Sequence, residues 1–290
     1  MTTSADSRPN PQKRNLLLNR LSRAPWWLLV IAGLVLLFVI NVSDDNTYQN
    51  IWREVRQGIW TTLWVTIVAY LIATVLGLLI ALLRRSNNAL VYQVSTAYVE
   101  FIRGIPTLVL VYYVVLALTP QVVDLVNGLG EWLLTYDLSL GTPLTELRTR
   151  DIPNEARAIA GLAASYSAFL SEVFRAGIDS IETGQREAAL SLGMTRWQVM
   201  RFIVLPQAFR VVLPPLGNDF IAMLKESSLV SIVGVEDITR QGSTAAQSNF
   251  TFFEAYNVVA LTYLVLTLTL SALVKVLEWY LDRSQRQTQG

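Results

Sequence analysis

The chain has 290 residues, 52% of them hydrophobic and only 16% charged, with a formal net charge of +1. Soluble domains carry about a quarter charged residues, so a lipid bilayer is the expected solvent, and the near-neutral balance offers no footprint for nucleic acid. Cysteine and histidine are both absent, which excludes disulfides and thiolate chemistry and removes the commonest metal ligand and general base. Any catalysis would rest on carboxylates, lysine or hydroxyls. No metal or cofactor is expected.

A bilayer is spanned by about 20 mostly apolar residues in a helix. Six stretches meet or approach that length: 24–42, 58–83, 97–119, 156–178, 203–224 and 255–279. The expected fold is therefore all-α, a polytopic membrane protein of about six transmembrane helices. Residues 1–23 read as a basic tail through Lys13, Arg14, Arg20 and Arg23. The stretch 24–42 reads as an uncleaved anchor, because no A-x-A-like site precedes "SDDNTYQN". Lys and Arg in short loops mark the cytoplasmic side. That places both termini, "RRSNN" at 84–88 and the polar stretch 179–202 inside, with Arg283 and Arg286 in an inner tail at 281–290. Arg53, Arg56, Arg148 and Arg150 run against the bias. In the outer loop 120–155, "QVVDLVNGLGEWLL" is amphipathic but too short and glycine-broken to span, so it is expected at the outer interface or as an ordered loop. Turn signals follow at Gly141 and Pro143. The extremes 1–20 and 284–290 are expected to be disordered.

Between the fourth and fifth segments lies "REAALSLGMTRWQVMRFIVLPQA", 186–208, where charges, a glycine and a proline recur at close spacing. Glu187, Ala188, Ala189 and Leu190 are good helix formers. Gly193 stands where a helix C-terminus favours a left-handed residue. Thr195 and Gln198 have the T-x-x-Q spacing of a capping box that starts a second helix. Pro206 marks the start of the next membrane segment. The expectation is two short helices with a hinge, projecting into the cytoplasm.

Glu187-Ala188-Ala189, three residues, Gly193, nine residues, Ile203, one residue, then Leu205-Pro206 resembles the complete EAA loop of ABC-importer permeases. "YVEFIRGIPTLVLVYYV" (98–114), "YSAFLSEVFRAGIDSIETGQREAA" (166–189) and "LPPLGNDFIAMLKESSLVSIVGVEDI" (213–238) resemble the polar amino acid branch of that family. The resemblance covers 58–280, with the loop at 186–206; the anchor 24–42 is additional to the usual five-helix core, and loop 120–155 is long for the branch. It implies a permease subunit that moves polar amino acids across the plasma membrane by alternating access, with the loop docking on a separate ATPase dimer. It also implies a second permease subunit, identical or homologous, and an extracytoplasmic substrate-binding protein. No G-x-x-x-x-G-K-[ST] phosphate loop occurs in the chain, so nucleotide must bind a partner. A permease for another small solute and an ion-coupled secondary carrier are the alternatives. A secondary carrier would show inverted repeats and paired broken helices, and only one broken segment is expected here.

Ionisable groups at membrane depth cost a few kcal/mol each, so each requires a reason. Glu100 with Arg103, and Glu172 with Arg175, each lie three apart near inner helix ends and read as local ion pairs. In the fifth segment Pro214-Pro215 is expected to break the helix. Asn218, Asp219, Lys225 and Glu226 follow and form the candidate substrate pathway: an α-ammonium needs a carboxylate, and an α-carboxylate needs a cation or N–H donors; the alternative is that Asp219 and Lys225 neutralise each other or sit in the outer headgroups. The family resemblance implies that this segment lines the pathway.

Overall fold

The structure, a computed structural model, describes residues 26–136 and 141–288; the basic tail 1–23 lies outside them. Among the described residues only helices and turns occur. The chain divides into an N-terminal unit that ends at Gln49 and a main unit from Asn50 onward. Helix α1 (Trp26–Asp44) occupies the expected anchor. Its C-terminal turn is closed by the Ser43 hydroxyl, which donates to the Val39 carbonyl at 2.8 Å, and by Gln49, whose amide donates to the Ser43 carbonyl.

Helix α2 (Asn46–Leu83) carries small residues at three- and four-residue spacing, with Gly58, Thr62, Thr66, Ala69, Ala73, Gly77 and Ala81 all buried. Such a stripe lets helix backbones approach closely where lipid supplies no hydrophobic drive for association. A Cβ on Gly77 would stand 2.9 Å from the Leu170 Cβ and 3.0 Å from the Ser167 carbonyl oxygen, so this contact with the later helix α5 admits only glycine. On the opposite face Leu71, Val75 and Leu79 are exposed. An apolar exterior over a small-residue interior is what a bilayer solvent requires.

Helix α3 (Ala89–Arg103) starts at Asn88, whose side chain accepts from the Leu90 N–H at 2.9 Å and from Val91. It stops at Gly104, two residues before Pro106, because the residue preceding a proline is pushed out of the helical region. The expected span 97–119 is thus divided. Helix α4 then runs without a break from Thr107 to Leu134. The stretch expected as an interfacial segment or loop is the second half of this helix. A wide π-turn at Tyr113–Leu118 precedes Pro120, which relieves the clash of the proline ring with the preceding turn. The Thr119 hydroxyl donates to the Val114 carbonyl there at 2.7 Å.

Helix α5 (Asn154–Asp179) is long enough to span yet much less apolar than α2. The reason is placement: it packs against α3, α4 and the later helix α7, and its Ser165, Ser167 and Ser171 are all fully buried. Helix α6 (Thr183–Ser191) follows, then α7, a single run from Arg196 to Val233. This run differs from expectation twice. The second short helix of the polar stretch is continuous with the membrane segment, through a π-turn at Val199–Val204 just ahead of Pro206. Pro214 and Pro215 also lie inside an unbroken helix. Packing explains that continuity: Val212 and Leu216 on either side of the pair are buried, and Tyr70 of α2 donates to the Leu216 carbonyl at 2.6 Å. Helix α8 (Ile238–Asn249) and helix α9 (Phe252–Thr288) complete the chain and pack on each other. Helix α9 continues through the stretch read as an inner tail. Among the described residues four runs meet the length and apolarity of a span: Asn46–Leu83, Thr107–Leu134, Arg196–Val233 and Phe252–Trp279.

Candidate functional site

The polar hairpin between α5 and α7 is built as its residues dictate. Helix α6 ends at Leu192, and Gly193 takes φ +83, a conformation that carries a Cβ penalty for every other residue type. The Met194 N–H reaches back to the Ala189 carbonyl at 3.2 Å, and the Gly193 N–H to Leu190 at 3.0 Å. The capping box is reciprocal: Gln198 N–H donates to the Thr195 hydroxyl at 3.3 Å, and Thr195 N–H donates to the Gln198 side-chain oxygen at 2.8 Å. Ala189 is buried against Ile178, Ile181, Val199, Val204 and Ala208, with Ile203 packed alongside. Glu187, Ala188 and Pro206 are exposed, and Leu205 is half-buried. A hydrogen bond from Gln207 to Gln185 at 2.7 Å staples the start of α6 to α7. The hairpin is therefore tied to α7 by packing, a hydrogen bond and a continuous helix. Its tip presents Leu192 at 84% exposure and Trp197 at 66%, two large apolar side chains next to the turn.

Beneath the hairpin an ion network joins three helices. Glu172 accepts from Arg84 at 2.6 Å and from Arg175 at 2.5 Å, with Arg103 at 3.7 Å. Arg175 also lies 3.7 Å from Asp179, which Arg85 contacts as well. The Glu172–Arg175 pair is the expected one. The Glu100–Arg103 pair is not formed: Glu100 is exposed, and Arg103 turns to Glu172 and stacks over the Phe169 ring at 5.8 Å. The draw is electrostatic, because Glu172 is half-buried, where a further cation is stabilised more than at an exposed carboxylate.

The candidate pathway residues on α7 separate into two faces. Asp219 and Glu226 are seven apart, close to two full turns, and both are half-buried, near enough to the Tyr166 phenol, and Asp219 to the Tyr70 phenol, for their charges to act there. The Tyr70 and Phe220 rings meet edge-on at 5.2 Å. Asn218 and Lys225 occupy the adjacent face and are exposed, so Lys225 does not join the Asp219 cluster. With α7 unbroken at the prolines, backbone N–H groups at that point are engaged in the helix. Two carboxylates between two phenols can accept from an ammonium group. Tyr70 and Tyr166 carried no signal in the sequence beyond ordinary aromatic residues in apolar helices. Among the described residues no group of three or more acidic, cysteine or histidine side chains is arranged to hold a metal ion.

A further polar knot went unread in the sequence. Asp237, fully buried, caps α8 by accepting from the Arg240 N–H at 2.8 Å and from the Tyr263 hydroxyl at 3.2 Å, while Ile238 N–H donates to Thr62 of α2 at 3.1 Å. Burial pushes its carboxyl up from 3.8 to about 6, against the pull of these donors.

These features define a polytopic all-α membrane protein with a rigid polar hairpin between two spans. Residues 73–287 match the family model of binding-protein-dependent transport system inner membrane components. The chain belongs to that family, and is accordingly a membrane component of a transport system rather than an enzyme. It is 38% identical over 213 residues to the probable amino-acid permease protein YxeN of Bacillus subtilis, covering 72% of this chain and 83% of that one. It is 34% identical over 203 residues to the glutamine transport system permease protein GlnP of Escherichia coli, covering 70% and 81%. Among solved structures it is similar to an amino acid ABC transporter crystallised with histidines, with TM-score 0.63, 36% identity and coverage of 79% of this chain and 94% of that one. The fold is also that of the MetNI methionine ABC transporter, at TM-score 0.54, 22% identity and coverage of 80% and 95%.

Proposed function

We propose that this chain is the permease subunit of an ATP-driven importer of polar amino acids in the plasma membrane, and that the hairpin at 186–206 is its contact with a separate ATPase dimer. The observation that carries the reading is the hairpin itself. Its helix end, left-handed glycine and reciprocal cap fix a rigid element continuous with α7, and Leu192 and Trp197 stand ready to be covered by a partner. Glu187, Ala188, Ala189, Gly193, Ile203, Leu205 and Pro206 form that element, with Ala189 and Ile203 as its inward face. Closure of the ATPase pushes the hairpin, and a helix that runs from Arg196 to Val233 carries the displacement to membrane depth.

An amino acid as cargo is supported by the names of the relatives and by the interior cluster. Asp219 and Glu226, flanked by Tyr70 and Tyr166, take the ammonium; Asn218 and Lys225 stand on the neighbouring face for the carboxylate. The domain plan is a basic tail at 1–23, an anchor at 24–42, the transport domain at 58–280 and a tail at 281–290, with both termini cytoplasmic. The assembly includes a second permease subunit, identical or homologous, and an extracytoplasmic substrate-binding protein. The test is to reconstitute the complex and measure ATP hydrolysis against a panel of amino acids. Polar amino acids should stimulate it, and no response to any of them refutes the substrate class.

A further inference from the structure

A cavity of about 330 Å³ lies between the hairpin and the inner helix ends, with Arg85, Arg186 and Arg196 on its wall together with Leu190, Val199 and Met200. Like charges gathered around one space repel each other, so the arrangement favours an anion even with Arg196 open to solvent. Arg85 has some, through Asp179. Arg186 uses one terminal nitrogen on the Ile178 backbone carbonyl, and its Nε is buried with no partner. Among the described residues neither Arg186 nor Arg196 makes an ion pair. A buried N–H without an acceptor is costly, and a guanidinium fork matches the oxygens of a phosphoryl group.

The position narrows the source of that group. Arg85 is two residues beyond the end of α2, Ile178 is one short of the end of α5, and Val204, also on the cavity wall, is where the apolar part of α7 begins. Arg85 therefore sits where α2 ends, and Arg186 and Arg196 of the hairpin reach the same space from below, next to the apolar ends of three helices. The rest of the wall is apolar, which a free inorganic anion does not need and an acyl chain does. Basic pockets between membrane helices on the cytoplasmic side suit anionic headgroups.

We propose that this cavity binds the phosphoryl group of an anionic phospholipid, with Arg186 and Arg196 as its principal ligands and the acyl chain against Leu190, Val199 and Met200. Arg85 extends from α2, whereas Arg186 and Arg196 belong to the hairpin. A bound headgroup therefore bridges the moving element to a fixed span. Anionic lipid then sets the resting position of the hairpin. The assignment of the site to the inner leaflet rests on the orientation proposed above; the binding itself does not.

The test uses the full chain, delipidated in detergent and titrated with dioleoyl phosphatidylglycerol or dioleoyl phosphatidylcholine under native mass spectrometry. Two charge-assisted contacts predict that phosphatidylglycerol binds at least about tenfold more tightly. The double variant Arg186→Gln/Arg196→Gln should lose that preference, Arg186→Lys/Arg196→Lys should keep most of it, and Arg148→Gln/Arg150→Gln should leave it unchanged. Equal binding of the two lipids by the native chain overturns the proposal, as does a preference that survives the double Gln change. Displacement of phosphatidylglycerol by a few millimolar inorganic phosphate (roughly the affinity of a free-anion site) overturns the lipid as source. If the double Gln variant keeps its lipid preference but no longer retains the ATPase subunit, the arginines serve that contact and the proposal falls. Transport is not read at any stage, so failure of the import function leaves the result interpretable.

Discussion

Replacing Gly193 isolates backbone conformation from packing. The residue holds φ +83, yet a Cβ built there meets nothing within 4 Å. Any penalty in the free chain is therefore conformational rather than steric. A left-handed residue with a Cβ costs about 1–2 kcal/mol, asparagine less because it tolerates this region, and a β-branched residue more. One to two kcal/mol changes a two-state population by roughly 5- to 30-fold. The alternative available to the hairpin is loss of the Met194-to-Ala189 and Gly193-to-Leu190 hydrogen bonds, which frees the tip carrying Leu192 and Trp197. Transport by the assembled complex, scaled to the amount of intact complex in the membrane, should fall in the order Asn, Ala, Val. Gly193→Asn should stay near the native rate and Gly193→Val should lose most of it. Normal transport by Gly193→Val in a normally assembled complex refutes the rigid-hairpin mechanism. Asn as harmful as Val would show that side-chain space against a partner, not φ, is what matters.

Asp219→Asn keeps shape and removes charge; loss of a charge-assisted hydrogen bond of about 1.5–3 kcal/mol should weaken half-saturation by the amino acid about 10- to 100-fold. Basal ATP hydrolysis should persist, and Glu100→Gln, at an exposed position, should leave substrate affinity unchanged; the opposite pattern would move the site to α3. Asp237 has a folded pKa near 6, raised from 3.8 by burial, so its protonated form favours the folded state. That contribution is full below about pH 4 and is lost as pH rises through 6. Asp237→Asn, which keeps the cap on Arg240, should flatten the pH dependence of thermal unfolding across this window, and an unchanged slope would contradict the burial argument. For topology, Ala5→Cys and Thr288→Cys in this cysteine-free chain should both resist an impermeant thiol reagent added outside; labelling of one alone would mean a miscounted span.

The hairpin was legible residue by residue because its determinants are local: a left-handed glycine, a T-x-x-Q box and an apolar position every third or fourth residue all act within one or two turns. The spans in α2, α7 and α9 were legible from apolar length. What escaped was set by contacts across long sequence distance. Arg84 meets Glu172 from 88 residues away, and Tyr70 meets Leu216 from 146 away, so neither could be paired by spacing. Local rules also overstated prolines. Pro120 and Pro206 are absorbed by wide turns, and Pro214-Pro215 by packing on both sides, whereas Pro106 does end a helix. The stretch 121–134 looks too short to span because apolar length alone joins its helical partner, residues 107–119, to the preceding segment. Helix α5 stays below the apolarity of the four spanning runs because other helices cover most of it.

ATP-driven import of a polar amino acid through this subunit can be followed in reconstituted vesicles. The complex of this chain, its partner permease and the ATPase is reconstituted in vesicles, with the binding protein supplied on the extracytoplasmic side and ATP sealed on the other. Accumulation of radiolabelled polar amino acids is then followed with the ion gradients collapsed. Uptake that requires both ATP and the binding protein, and that stops with Gly193→Val, is the predicted result. Uptake that continues without ATP and instead follows an imposed proton or sodium gradient would contradict it.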